Sequence, residues 1–425
     1  MRFTTTLAAG ALAASASAFD PQNYLGFNTG AMLADDSAKF KEDFVAEFET
    51  AAALQGAPGK FNAARLYTNI QAYSQDDPIE AFEAAVETKT KLLLGVWASG
   101  TNNIDKEISA LKKAVEQHGS KLTDLVIGIN IGSEDLYRVS VTGIKNKSGP
   151  GNSPDAIVGF IDDWKKAFKD TALAKIPIGH ADTWDAWQNT TNKAVIDAID
   201  FVAVHEYPYY ENDKGNDIQN AGSLFDRAYQ IALDAAGDKP VWVTETGWPY
   251  VGPDWDEAEA SVKNAKKYWD EVGCRKLFNK VPTFWYTLRD SNSANKMKFA
   301  ITENLSTKPL FDLSCPTHFD TPDSTSTAEV AKPTKTSGSQ ATTMTTAGSS
   351  STSEPTSDGS DGSDGDKSDE SDKSDESDES DETPAQDGAG SEKPATKDDD
   401  EGAANSVKIS AFGMLAAIGG ALALF

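Results

Sequence analysis

The chain is poor in the residues that most site chemistry recruits. Among 425 residues there are 2 cysteines, 4 histidines and 5 methionines. Two cysteines exclude a cysteine-built metal cluster and a disulfide-dense scaffold. The histidines, His118, His180, His205 and His318, show no metal-ligand spacing, and His205-Glu206 lacks the second histidine of a helical zinc site. No metal or other cofactor is expected, and His205 reads as a satisfied wall residue at a strand end. Basic residues are scarce too: 39 Lys plus Arg face 66 Asp plus Glu, for a net charge of −27. The central part is itself acidic, which disfavours nucleic acid as a partner. No Gly-rich phosphate loop or dinucleotide fingerprint follows the first apolar strand pattern.

The acidity is concentrated towards one end. From Thr321 to Glu401 there are 22 Asp plus Glu against 6 Lys, so −16 of the charge lies there. This stretch is rich in Ser, Thr, Ala and Pro and then in Ser-Asp repeats. It holds too little apolar surface to offset ordering, so residues 321–401 read as a disordered Ser/Thr-rich and acidic linker. A solvated spacer explains the Asp run better than calcium binding does.

Residues 1–18 combine Arg2, a short apolar stretch and Ala16-Ser17-Ala18, the pattern of a secretory signal peptide. At the other end, Ala411 to Phe425 is apolar but shorter than the ~20 residues of a comfortable spanning helix. Small residues and a polar spacer precede it. Residues 402–425 therefore read as a GPI-attachment signal, with Gly402 as attachment site and Asn405 as the alternative. Cell membrane and cell wall are the expected locations. In an oxidising compartment Cys274 and Cys315 are expected to pair. The sequons at Asn146, Asn189 and Asn304 fit a glycosylated surface.

Residues 19–320 carry the core. Eight β-rich runs alternate with helical patterns: Tyr24 to Thr29, Ala63 to Thr68, Lys91 to Ala98, Leu125 to Ile131, Ile176 to Ala181, Phe201 to Glu206, Val241 to Glu245 and Thr283 to Thr287. Apolar residues three and four apart mark helices such as Ser37 to Leu54, Ile104 to His118, Ala156 to Phe168 and Glu257 to Glu271. Eight strand–helix repeats in about 300 residues predict a single α/β domain, a (β/α)8 barrel, in preference to a doubly wound open sheet.

Two glutamates stand at the ends of apolar runs, Glu134 after the fourth and Glu245 closing the seventh. A carboxylate placed there gains little for folding, because its charge must be solvated or paired. In a barrel these two ends lie across one mouth, where one protonated and one ionised carboxyl can face a glycosidic bond. Trp184, Trp248 and Trp285 also sit at strand ends, where flat faces suit glucose rings; Trp248 is the first candidate.

The run Val243-Thr244-Glu245-Thr246-Gly247-Trp248-Pro249 resembles the signature of family 17 glycoside hydrolases, which are retaining β-1,3-glucanases. Gly26-Phe27-Asn28-Thr29-Gly30, Arg65-Leu66-Tyr67-Thr68 and Glu206-Tyr207-Pro208-Tyr209 resemble that family's first, second and sixth strand motifs. With the two end signals, the layout is similar to that of fungal cell-wall endo-β-1,3-glucanases. The resemblance implies Glu245 as nucleophile, Glu134 as proton donor, and Tyr207 and Arg65 as supports of the nucleophile, with Tyr67 beside them. It also implies action on cell-wall β-1,3-glucan, endo-hydrolytically and with retention; a monomer is expected. The sequence departs from many relatives in placing Ser133, not Asn, before the acid. A glucanosyltransferase using the same pair, and a non-catalytic glucan-binding wall protein, are the rival expectations.

Overall fold

The computed structural model describes residues 23–212 and 214–319; the segments read as signal peptide, acidic linker and attachment signal lie outside the described residues. Eight parallel strands close a barrel in sequence order. They are β1 (Leu25–Thr29), β2 (Ala63–Leu66), β3 (Lys91–Val96), β4 (Val126–Ser133), β5 (Ile178–Thr183), β6 (Phe201–His205), β7 (Val241–Glu245) and β8 (Thr283–Trp285). Closure is direct: Gly26 of β1 pairs with Phe284 of β8.

Two apolar layers hold the ring. Inside its lower half, Ala63, Leu93, Ile127, Phe201, Ala203, Trp242 and Phe284 form one buried cluster, with Phe201 stacked on Trp242 at 4.2 Å between centroids. Outside, Leu92, Leu94, Ile129, Val202, Val204, Val241 and Val243 join the larger core beneath the helices. Alternation along the strands generates both layers, except on β4, where a register shift against β3 between Leu92 and Leu93 separates Ile127 from the face that its spacing from Ile129 would give. Truncating an inner aromatic such as Trp242 would cost about 3–5 kcal/mol.

The helix Pro154–Phe168 shows how the outer layer is specified. Ser153 caps it by accepting from the Ala156 N–H, proline fills its first turn, and Ile157, Phe160, Ile161, Trp164 and Phe168 form the buried stripe. One expectation needs correction. The helical pattern placed at Glu257 to Glu271 starts only at Val262, because Ser261 caps there and Trp255 and Ala258 form a β-bridge upstream. It then continues as a wider helical turn, Trp269–Leu277. Cys274 of that turn is bonded to Cys315, 41 positions on. Among the described residues no helix is long and apolar enough to cross a membrane.

The strands also differ at the mouth. β4 runs on to Ser133, which pairs with Ala181 across a register shift. Gly132 makes this turn possible: its φ is 83°, and a Cβ there would stand 2.7 Å from Asp135 Oδ2 and 2.8 Å from His180 Cε1.

Candidate active site

The turn after β4 delivers Glu134 in an unusual backbone state. Its φ is 59°, left-handed for a non-glycine residue, a strain that persists only where surroundings enforce it. Here the Glu134 N–H donates to Ala181 O at 2.8 Å. The short helix Asp135–Arg138 then begins at once. Asp182 accepts from the Leu136 and Tyr137 N–H groups, and His180 bridges Asp182 Oδ2 and Ile131 O. Asp135 does not compete with the acid. Its carboxyl is taken by Ser99, Asn152 and the Ser133 N–H.

Glu245 is held by a denser shell. Arg65 Nη1 donates to Oε1 at 2.6 Å, Tyr67 Oη to Oε1 at 3.0 Å, and Tyr207 Oη to Oε2 at 2.9 Å. Arg65 is itself aimed by Asn28, whose Oδ1 accepts from Nη1 at 2.8 Å. Asn28 in turn donates to Thr244 O and Phe284 O, tying β1 to β7 and β8. Ser133 Oγ receives Arg65 Nη2 at 3.1 Å, so its hydroxyl proton is left for another acceptor.

His205, read as a satisfied wall residue at a strand end, joins the two halves of the site. Its Nδ1 lies 3.0 Å from Glu134 Oε1 and its Nε2 3.7 Å from Glu245 Oε1. The signal was present in the sequence. Residues two apart on a strand share a face, so placing Tyr207 at the nucleophile placed His205 in the same mouth. An oxygen of each glutamate and a nitrogen of His205 all lie within 4.8 Å of one another. Two carboxylates and an imidazole would also suit a metal ion, but the guanidinium already on Glu245 opposes a dication there.

The two carboxyls titrate in opposite directions. Burial, aided by the charge of Glu245, pushes Glu134 above the ordinary carboxylate range against the pull of His205. Burial alone would raise Glu245 also; His205 and Arg65, with the Tyr207 hydroxyl, overcome it and hold this carboxyl below its ordinary value. The two shifts favour the proton on Glu134 and the anion on Glu245. This is the division of labour that acid-plus-nucleophile chemistry requires.

The expectation for Trp248 needs revision, whereas Trp285, which could be core or rim, is core. Trp248 and Trp285 are each 2% exposed. Trp248 packs edge-on to Tyr209 and donates to Glu259 O, and Trp285 lies against Trp269. Both are core. Trp184 is partly exposed, but Lys214 and Arg227 lie over its ring. Of the sequons, Asn189 and Asn304 are exposed, whereas the Asn146 amide is half-buried and donates to Tyr137 Oη at 3.0 Å.

Residues 34–304 match the family model described as the BtgE/BtgC glycoside hydrolase domain. The chain belongs to this family. It is 48% identical over 314 residues to a protein of Aspergillus terreus named probable glucan endo-1,3-beta-glucosidase eglC, covering 73% of this chain and 63% of that one. A protein of the same name from Aspergillus fumigatus is 48% identical over 318 residues, 74% of this chain and 70% of that one. The chain thus spans 63% of the length of the Aspergillus terreus relative. Among solved structures, a glycoside hydrolase family 17 beta-1,3-glucanosyltransferase from Rhizomucor miehei shares the fold at 22% identity and a TM-score of 0.54, over 69% of this chain and 99% of that one. An endo-laminarinase from Formosa does so at 16% identity and a TM-score of 0.51, over 66% and 83%.

Proposed function

We propose that this glycoside hydrolase cleaves internal β-1,3-glucosidic bonds of cell-wall glucan with retention of configuration. The observation that carries the reading is the close approach of the Glu134 and Glu245 carboxyl oxygens, within 4.8 Å. Retaining enzymes hold their carboxyls about 5–5.5 Å apart, whereas inverting ones leave about 6.5–9.5 Å for a water. Glu134 gives its proton to the leaving oxygen while Glu245 attacks the anomeric carbon. The Arg65, Tyr67 and Tyr207 donors keep Glu245 ionised and correctly turned. Water, deprotonated by Glu134, then attacks the glycosyl ester and releases the sugar. The names of the Aspergillus relatives support β-1,3-glucan as the substrate.

The expected setting is the outer cell surface, reached through the signal peptide at residues 1–18 and kept by a lipid at Gly402 or Asn405, on a linker that gives reach. Linkage-resolved product analysis on laminari-oligosaccharides, beside Glu245→Gln, tests the function. Shorter products of retained configuration, absent in the variant, are expected. Products longer than the substrate would mean transfer to a sugar instead, and glucan binding without turnover would leave only a wall-binding role.

A further inference from the structure

Arg138 is a buried cation that neither the sequence motifs nor the chemistry above explains. It ends the short helix opened by the acid, four residues after Glu134. Its side chain is 0% exposed. Nη1 donates to Ser148 O at 3.0 Å, while Nε and Nη2 have no hydrogen-bond partner. Nη2 stands 3.8 Å from Glu134 Oε2, beyond hydrogen-bond reach. The guanidinium lies over the Trp97 ring at 5.5 Å, and that ring is fixed by its own N–H to Ser99 O. A guanidinium buried with idle N–H groups is costly unless an anion compensates it.

The two oxygens of Glu134 are not equivalent. Oε1 is engaged by His205 Nδ1 at 3.0 Å, which leaves Oε2 to carry the transferable proton. The groups facing Glu134 are His205 from β6, Glu245 from β7, Tyr286 just after β8, and Tyr137 and Arg138 from its own helix. Asp135 also faces Arg138, but its carboxyl is bonded to Ser99, Asn152 and the Ser133 N–H.

We propose that Arg138 is a positioning residue for the general acid, standing off Oε2 while it is protonated and closing onto it once the proton has left. In the first step the Oε2 proton passes to the leaving oxygen, the C1–O bond to the departing sugar breaks, and the C1–Glu245 ester forms. Glu134 is then an anion, and the idle Nη2 moves into hydrogen-bond distance. In the second step the water oxygen bonds to C1 as the C1–Glu245 ester breaks and frees that carboxylate, the water's proton returns to Oε2, and Arg138 is released. The anion produced by proton transfer is thus met by a charge already in place, with no reorganisation of solvent.

The proposal rests on Glu134 being the acid. In Arg138→Met the alkaline limb of kcat/KM on laminari-oligosaccharides should move up by about one pH unit or more, because a cation beside a carboxyl lowers its pKa by about 1–3 units. Arg138→Lys should restore the limb. For aryl laminariosides with good leaving groups, kcat/KM, which reports ester formation alone and needs no acid, should stay close to the parent value in Arg138→Met. An unmoved limb with both substrates slowed equally would overturn the proposal. A second measurement needs no variant: in a crystal of the parent enzyme trapped as its 2-fluoro-glycosyl ester, the Nη2 to Oε2 distance should shorten to about 2.9 Å, and an unchanged gap would overturn it too. If instead Glu134→Gln cleaves unactivated oligosaccharides normally, it is the acid assignment that fails.

Discussion

Replacing Arg65 by methionine removes the strongest support of Glu245 while keeping a side chain of similar length. The Nη1 to Oε1 separation is 2.6 Å, with side chains 1% and 0% exposed. At an effective dielectric of about 20, unit charges that close attract by ~6 kcal/mol. Desolvation cancels part of this, and losing one partner of a buried pair costs about 3–5 kcal/mol. At roughly 2 °C per kcal/mol for a domain of this size, the melting temperature should fall by about 6–10 °C at neutral pH. The sign with pH is fixed by Glu245, whose folded-state carboxyl is held below its ordinary value. Its contribution to stability is present above the unfolded value near ~4.3 and is lost as pH falls through the folded value. The deficit of Arg65→Met should therefore be largest above about pH 5 and shrink in acid. Activity should follow, with kcat/KM reduced about 100-fold or more and its acid limb displaced upward. Melting curves and rate profiles across the acidic range give both quantities. Equal destabilisation at all pH values, with an unmoved acid limb, would refute the reasoning.

Glu134→Gln should lose turnover of natural oligosaccharides by about 1,000-fold. It should still form the ester from a dinitrophenyl glycoside, and added azide should then yield the β-glycosyl azide; an α-azide would assign the residue to the other face. Reducing the Cys274–Cys315 bond, which closes a separation of 41 residues, should cost about 4 kcal/mol in the chain-entropy model. That loss should show as a lower melting temperature with unchanged kcat at moderate temperature, since the bond ties the Trp269–Leu277 turn and not the mouth.

The barrel was legible because strand periodicity survives in short buried runs. β7 is found at the limits read from Val241 to Glu245, and β3 and β6 differ by two residues or fewer at their ends. Boundaries failed where tertiary contacts outweigh local pattern, as at Ser133, whose pairing depends on a bulge against β5. Both glutamates were visible because a charge closing an apolar run has no local explanation. His205 was legible as a wall residue but its partners were not, because they come from β4 and β7, 71 residues before it and 40 after. Trp248 misled for the opposite reason. A tryptophan after a catalytic strand suits a sugar platform equally well as a wedge between barrel and helix, and only burial against Tyr209 and Tyr268 separates the two.

The most direct measurement is to treat the enzyme with a 2-deoxy-2-fluoro laminaribiosyl fluoride and map the trapped sugar by peptide mass spectrometry. One ester, on Glu245, formed in the parent enzyme and absent from Glu245→Gln, is the expected result. A label on Asp135, Glu206 or any other carboxyl, or steady turnover with no ester at all, would contradict nucleophilic attack by Glu245 across a pair completed by Glu134.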